Sequence, residues 1–254
     1  MTARASTTTR QIINKFQRTI WMDKTDLYKD QAAEKAMEFI QDGMIIGLGS
    51  GTTAQFALQR IGDLISTRKL KKIIGIPSSR QTSRIARRLG IPLGEINDFP
   101  EIDLTIDGAD EVDPQLNLIK GGGGALLREK IIIQASKRVI IIVDKSKIST
   151  RLGKKWPVPV EVLPFSWRCE ERFLKSLGGK VMLRQTGDNK PYKTDQNNFI
   201  LDVRFSQIRQ AEELVKNLNE RAGIIGHGIF LESATDVIVA GEKGISHLKR
   251  YELL

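Results

Sequence analysis

Short runs of branched apolar residues alternate with stretches of helical spacing along the first two thirds of this chain, and nothing else in the sequence restricts its fold as much. Helical spacing covers residues 26–40, 52–65, 80–89 and 124–137, while β-rich runs lie at 44–48, 73–76, 104–106 and 139–143. Strands that alternate with helices pair in parallel through right-handed crossovers. The pattern therefore predicts an α/β fold built on a doubly wound, mostly parallel sheet.

Beyond Gly153 the texture changes. Pro157, Pro159 and Pro164 mark a junction before a helix over 169–177, followed by strand-like segments at 180–184 and 199–205, a helix over 207–221 and a strand over 224–231. That order suggests an inserted α+β subdomain of the ferredoxin-like kind. A last apolar run at 237–240 reads as a strand returning to the first sheet. The expected organisation is an extension over 1–22, a Rossmann-like domain over 23–153 plus 232–254, and an insert over 154–231.

Composition excludes several kinds of chemistry. No apolar run approaches the ~20 residues of a membrane-spanning helix, so no membrane partner is expected. Cys169 is the only cysteine, and His227 and His247 are the only histidines, so a zinc site of the Cys/His kind is ruled out and a Ser-His-Asp triad is poorly supplied. The chemistry falls to carboxylates, lysines and hydroxyls. A net charge of +10 favours anionic partners, but the basic residues read as dispersed pairs such as Arg87-Arg88 and Lys154-Lys155, without a basic stripe, so no nucleic-acid partner is expected.

Residues 1–22 carry Arg4, Arg10, Lys15 and Arg18, no acidic residue and a hydroxyl cluster from Ser6 to Thr9. Ile12, Ile13, Phe16 and Ile20 fall on one helical face, as an organellar transit segment would require. Any short amphipathic arm would show the same spacing, and Met22, before Asp23-Lys24-Thr25-Asp26, offers an alternative start. A cytoplasmic location is expected, with an organelle as the alternative.

Three loops combine residues suited to an anionic ligand. Gly47-Leu48-Gly49-Ser50-Gly51-Thr52-Thr53 lies between a predicted strand and a predicted helix, where amides and hydroxyls favour a phosphate. Its glycine spacing fits neither a dinucleotide fingerprint nor a Walker A loop, and a plain turn capped by Thr52 is the bland alternative. Asp107-Gly108-Ala109-Asp110-Glu111-Val112-Asp113 puts four carboxylates at a strand's end, suited to a divalent metal or to acid–base work. Lys120, followed by Gly121, Gly122, Gly123 and Gly124 and then by Glu129 on a helix, offers a second nest, a cation for developing negative charge and a carboxylate whose basicity burial would raise. Lys147, just past the strongest strand, reaches for the same rim.

In order and spacing these segments resemble the signature set of ribose-5-phosphate isomerase, type A. The resemblance covers the chain from about Asp26 onward. It implies metal-independent interconversion of D-ribose 5-phosphate and D-ribulose 5-phosphate through an enediolate, a step of the pentose phosphate pathway, with no cofactor and no metal ligands. Glu129 matches the general base, and Asp107, Asp110 and Lys120 complete the implied catalytic set. Ser50, Gly51, Thr52, Thr53, Gly108, Ala109, Gly121, Gly122, Gly123 and Lys147 match positions binding the sugar phosphate, and Lys29 lies where an N-terminal helix lends a lysine to the phosphate. The family also implies a homodimer or homotetramer.

The competing readings are a sugar-phosphate sensor and another sugar-phosphate enzyme on the same fold. An amino-sugar deaminase or a lactonase would be expected to use a histidine. A sensor would need a DNA-binding helix pair, which 22 residues cannot hold, and has no use for a base.

Overall fold

The computed structural model describes residues 23–252; the readings made on 1–22 lie outside the described residues. Six strands form the main sheet in the order β13-β12-β6-β3-β1-β2. Strands β1 (Ile45–Leu48), β2 (Ile74–Pro77), β3 (Leu104–Asp107), β6 (Val139–Asp144) and β12 (Asp236–Gly241) are parallel. The edge strand β13 (Gly244–Lys249) closes an antiparallel hairpin on β12. Sequence patterning missed β13, whose residues are mostly exposed and show no apolar run.

Both faces of the sheet are covered, which explains why its strands read as unbroken apolar runs. Helix α1 (Lys24–Ala36) lays Ala32, Ala33 and Ala36 against Ile140, Ile142 and Ile238, and α2 (Gly51–Ser66) packs Leu58 and Ile61 on Ile46 and Leu48. On the opposite face α4 (Leu126–Gln134) sets Ile132 against Ile76 and Ile102, and Ile133 against Val139, Ile141 and Val143. All six residues of β6 are buried, and at about 1.5–3 kcal/mol for each large aliphatic side chain the burial favours this strand at the sheet's centre.

The second unit is a four-stranded antiparallel sheet in the order β10-β7-β9-β8. It comprises β7 (Val158–Val162), β8 (Gly179–Leu183), β9 (Phe199–Phe205) and β10 (Ile224–His227). Helices α5 (Trp167–Ser176) and α6 (Ala211–Asn219) contribute Leu174 and Leu218 to its core. The chain order strand-helix-strand-strand-helix-strand is that of a ferredoxin-like unit. The proline-marked stretch holds a strand that sequence patterning missed: β7 begins at Val158, directly after Pro157, and runs through Pro159, whose carbonyl accepts from the Gly228 amide at 2.7 Å.

The single strand expected over 224–231 is two strands. β10 belongs to the insert, whereas β11 (Ile229–Phe230) joins a small sheet with β5 (Leu118–Ile119) and β4 (Glu111–Val112). The break falls at Gly228, where a Cβ would lie 2.2 Å from the Lys120 carbonyl oxygen. That close approach lets the Lys120 amide donate to the Gly228 carbonyl at 2.9 Å, which ties the two units together beside Lys120.

The expectation of dispersed charge also changes. Residues 66–90 hold eight Lys/Arg and no Asp/Glu. Within that stretch, α3 (Arg80–Arg88) brings Arg80, Arg84, Arg87 and Arg88 onto one exposed face. The positions are four, seven and eight residues from the first, so the helical period gathers what looks scattered in the sequence.

Candidate active site

In open parallel sheets, ligands bind beyond the strand C-termini where successive connections leave in opposite directions. Here the reversal lies between β1, which leads to β2 on one side, and β3 on the other. The loop after β1 and the end of β3 meet there. Gly49 makes the meeting possible, because a Cβ at that position would lie 2.2 Å from Asp107 Oδ1. The Asp107 oxygen accepts from the Ser50 amide at 3.0 Å and from the Gly108 amide at 2.7 Å.

Helix α2 starts at Gly51 with Ser50 as its N-cap, two residues earlier than the Thr52 cap considered from sequence. The Ser50 side chain makes no capping hydrogen bond. Its hydroxyl instead donates to Glu129 Oε1. Helix α4 starts at Leu126 and not at Gly124, because Gly121 to Gly124 form a turn closed by the Gly124 amide donating to the Gly121 carbonyl at 2.9 Å. The turn places Glu129 in the first turn of α4, buried.

At the centre lies a buried ion group. Lys120 Nζ is 2.9 Å from Asp107 Oδ2 and 3.4 Å from Glu129 Oε2, and donates to the Gly108 carbonyl at 2.6 Å. Burial works against the Lys120 charge, but Asp107 and Glu129 outweigh it and hold the ammonium above the ordinary lysine value. For Glu129, burial is the largest influence. Lys120 and the Ser50 hydroxyl pull the carboxyl down while Asp107 pushes it up, and the result is about 7. Glu129 Oε2 is buried and accepts no hydrogen bond.

A cleft of about 410 Å³, open to solvent, lies over this group. All the site residues named from sequence line it except two. Asp107 lies beneath, behind Lys120. Lys29 is not brought to the cleft wall: its ammonium is bonded to Asp26 at 2.8 Å, one turn back on α1. Asp110, on the rim, accepts from the Gly122 amide at 2.7 Å. Lys147, in a 3-10 turn (Lys145–Lys147) after β6, holds its ammonium 5.0 Å from the Trp156 ring centroid, a contact that gives a role to a tryptophan without a sequence signal.

The four carboxylates of the acidic loop do not act together. Only Asp107 and Asp110 reach the site. Glu111 is wholly buried and accepts from the amides of Gly153, Lys154, Lys155 and Trp156. Asp113 accepts from the amides of Gln115 and Asn117. Both hold turns, because backbone donors capture these side chains before a ligand can. Among the described residues, no group of three or more His, Cys, Asp or Glu is arranged to hold a metal ion.

Sequence reasoning also missed Arg184 and Tyr192 of the insert. Arg184 donates to the carbonyls of Gly121 and Gly122, and the Tyr192 hydroxyl donates to the Gly123 carbonyl at 3.3 Å. Neither residue lies in a motif, and no spacing rule points from β8 to a loop some sixty residues earlier.

A crevice at the tips of a parallel sheet, with a buried carboxylate facing a buried lysine under two glycine-rich loops, defines an α/β enzyme equipped for proton transfer on a small anion. Comparison with known proteins narrows the class. The family model described as ribose 5-phosphate isomerase A (phosphoriboisomerase A) matches residues 74–244. A ribose-5-phosphate isomerase A of Desulfatibacillum aliphaticivorans is 54% identical over 228 residues, covering 90% of this chain and 99% of the relative. A probable ribose-5-phosphate isomerase 3, chloroplastic, of Arabidopsis thaliana is 45% identical, covering 89% of this chain and 84% of the relative. Among solved structures, a D-ribose-5-phosphate isomerase in complex with phospho-erythronic acid superimposes with a TM-score of 0.88 at 38% identity, covering 90% of this chain and all of that one. The chain belongs to the ribose 5-phosphate isomerase A family.

Proposed function

We infer that this protein interconverts D-ribose 5-phosphate and D-ribulose 5-phosphate, an aldose–ketose isomerisation, with Glu129 as the base. The observation that carries the assignment of the base is the Glu129 carboxylate itself. It is buried beside a lysine, held at about 7, and has one oxygen without a hydrogen-bond donor inside the cleft. Both the family and the phospho-erythronic acid bound by the related isomerase support a phosphorylated sugar as the ligand.

In the proposed step Glu129 takes the proton from C2 of the open-chain aldose. The released electron pair forms the C1–C2 double bond and moves the carbonyl pair onto O1, where Lys120 stabilises the negative charge. Return of the proton to C1, with transfer of the hydroxyl proton from O2 to O1, leaves the ketose. Asp107 keeps Lys120 charged and in place, and Asp110 holds sugar hydroxyls on the rim. The loop of Ser50, Gly51, Thr52 and Thr53 together with Lys147 grips the distal phosphate, whose binding energy orients the reacting carbons.

The test is ribulose 5-phosphate formation from ribose 5-phosphate without added metal. Turnover by the wild-type protein and a loss of about two orders of magnitude or more in Glu129→Gln is expected; equal turnover by both would remove Glu129 from the role of base. For the assembly, a homodimer or homotetramer is the reading that the family resemblance supports, and light scattering tests it. Among the described residues no helix is long and apolar enough to cross a membrane. A cytoplasmic site is the reading for location, with organellar import the alternative, and mass spectrometry of the native N-terminus decides between them.

A further inference from the structure

We propose that Arg184, supplied by the inserted sheet, is a positioning residue that fixes the Gly121–Gly124 turn so that the Gly122 amide holds Asp110 and the Gly123 amide faces the substrate in the cleft. The inference rests on the isomerase reading and goes beyond it by making the insert part of the reaction machinery. Arg184 follows β8 and projects onto the turn that carries Lys120 into the site. One guanidinium nitrogen, Nη1, donates at 3.0 Å to the carbonyl of Gly121 and at 3.0 Å to that of Gly122. The rest of the fork is occupied by Asp202 of β9, which accepts from Nε at 2.8 Å and from Nη2. The guanidinium is therefore held from one side by a bidentate carboxylate and turns the two N–H groups of Nη1 to two consecutive peptides.

Holding a carbonyl also sets the amide on the far side of the same peptide. The described residues contain no cis peptide bond, so each N–H points opposite to its carbonyl. With the Gly121 carbonyl turned to Arg184, the Gly122 N–H points the other way, and it donates to Asp110 Oδ2 at 2.7 Å on the cleft rim. With the Gly122 carbonyl held on the same nitrogen, the Gly123 N–H is likewise turned from Arg184, and Gly123 lines the cleft.

Glycine peptides rotate readily; the Gly121–Gly122 peptide is also held by the Gly124 amide at 2.9 Å and by Asp110 at 2.7 Å, so the hold of Arg184 matters most at the Gly122–Gly123 peptide, whose N–H is turned from it. Donors fixed in advance toward a developing oxyanion stabilise the transition state more than the ground state, because no reorientation is needed as charge builds. A lysine at position 184 would keep the charge but could not satisfy two carbonyls and two carboxylate oxygens in one plane. Asp202→Asn leaves the fork without its charged anchor.

The experiment measures kcat and KM for ribose 5-phosphate, thermal stability and hydrogen exchange across residues 120–125 in wild type, Arg184→Ala, Arg184→Lys and Asp202→Asn. Wild-type turnover tests the isomerase reading by itself; if it is absent, that reading fails and exchange alone tests the clamp. Arg184→Ala is expected to lower kcat about 10- to 100-fold with KM changed by less than about 3-fold. Its turn should exchange faster, and millimolar guanidinium should restore part of kcat. Arg184→Lys should fold like wild type, within about 3 °C in Tm, and still lose about 5-fold or more in kcat. If Arg184→Ala does not fold, the lysine variant decides. Wild-type kcat in Arg184→Lys overturns the proposal, as does a loss in Arg184→Ala that guanidinium does not restore or unchanged exchange in the turn.

Discussion

Glu129 Oε2 and the ammonium of Lys120 face each other across 3.4 Å with both side chains almost wholly removed from water. The arrangement costs stability, since each charge gives up its hydration and recovers it only in part from the other. Substituting the base by its neutral isostere therefore separates binding from chemistry. Glu129→Gln should lower kcat by roughly two to four orders of magnitude, while ribose 5-phosphate still binds with an affinity near wild type in a calorimeter. A variant that loses binding to the same degree would make Glu129 a ligand-holding group.

The elevated Glu129 carboxyl gives activity and stability opposite pH trends. Because the base must be ionised, kcat/KM of the free enzyme should rise with pH through about 7. The folded carboxyl titrates above its ordinary value of 4.5, so the folded state binds more protons than the unfolded chain between 4.5 and 7. The stability contribution is thus complete below 4.5 and is lost as pH rises through 7. Glu129→Gln removes that loss, and its advantage in chemical denaturation should widen from pH 5 to pH 8 to about 1–3 kcal/mol. A constant difference across this range would contradict the assignment.

Lys120 supports two carboxylates at once. Lys120→Met keeps the bulk but leaves Asp107 buried without its cation, and should lower stability by about 3–5 kcal/mol at pH 8. Combining it with Asp107→Asn should recover a large part of that loss. Denaturation of the two singles and the double closes the cycle.

Gly228 links the insert to the site through backbone alone. In Gly228→Ala the new methyl would have to displace the Lys120 carbonyl, 2.2 Å away, or the Pro159 ring, 2.6 Å away. Stability should fall by about 1–3 kcal/mol. Because Lys120 moves with its carbonyl, kcat should fall as well, even for the fraction that remains folded. Activity per folded molecule, with folding followed by circular dichroism, is the measurement.

Excess chelator should leave turnover unchanged. Asp107 is engaged by Lys120 and two amides, and Asp110 by the Gly122 amide, so neither presents the free pair of oxygens a divalent ion would take. Activity lost on chelation and restored by a metal ion would show that the acidic loop has a second arrangement.

The alternating texture from α1 to β6 was legible because a sheet covered on both faces demands unbroken apolar strands, and such runs stand out against helical spacing. Glycines before helices and a lysine before a glycine turn were legible for a similarly local reason: a backbone that must approach a ligand closely uses few residue types. Division of labour inside the acidic loop was not readable, since Glu111 and Asp113 differ from Asp107 and Asp110 only in which amides the fold brings to them. Nor was the role of Arg184, whose partners lie some sixty residues away in the chain. Local composition can specify strands, turns and the kinds of side chain at their tips. Burial and the meeting of distant segments come only with the folded chain, and they give Glu129 its raised basicity while Asp107 and Glu129 keep Lys120 charged in spite of its burial.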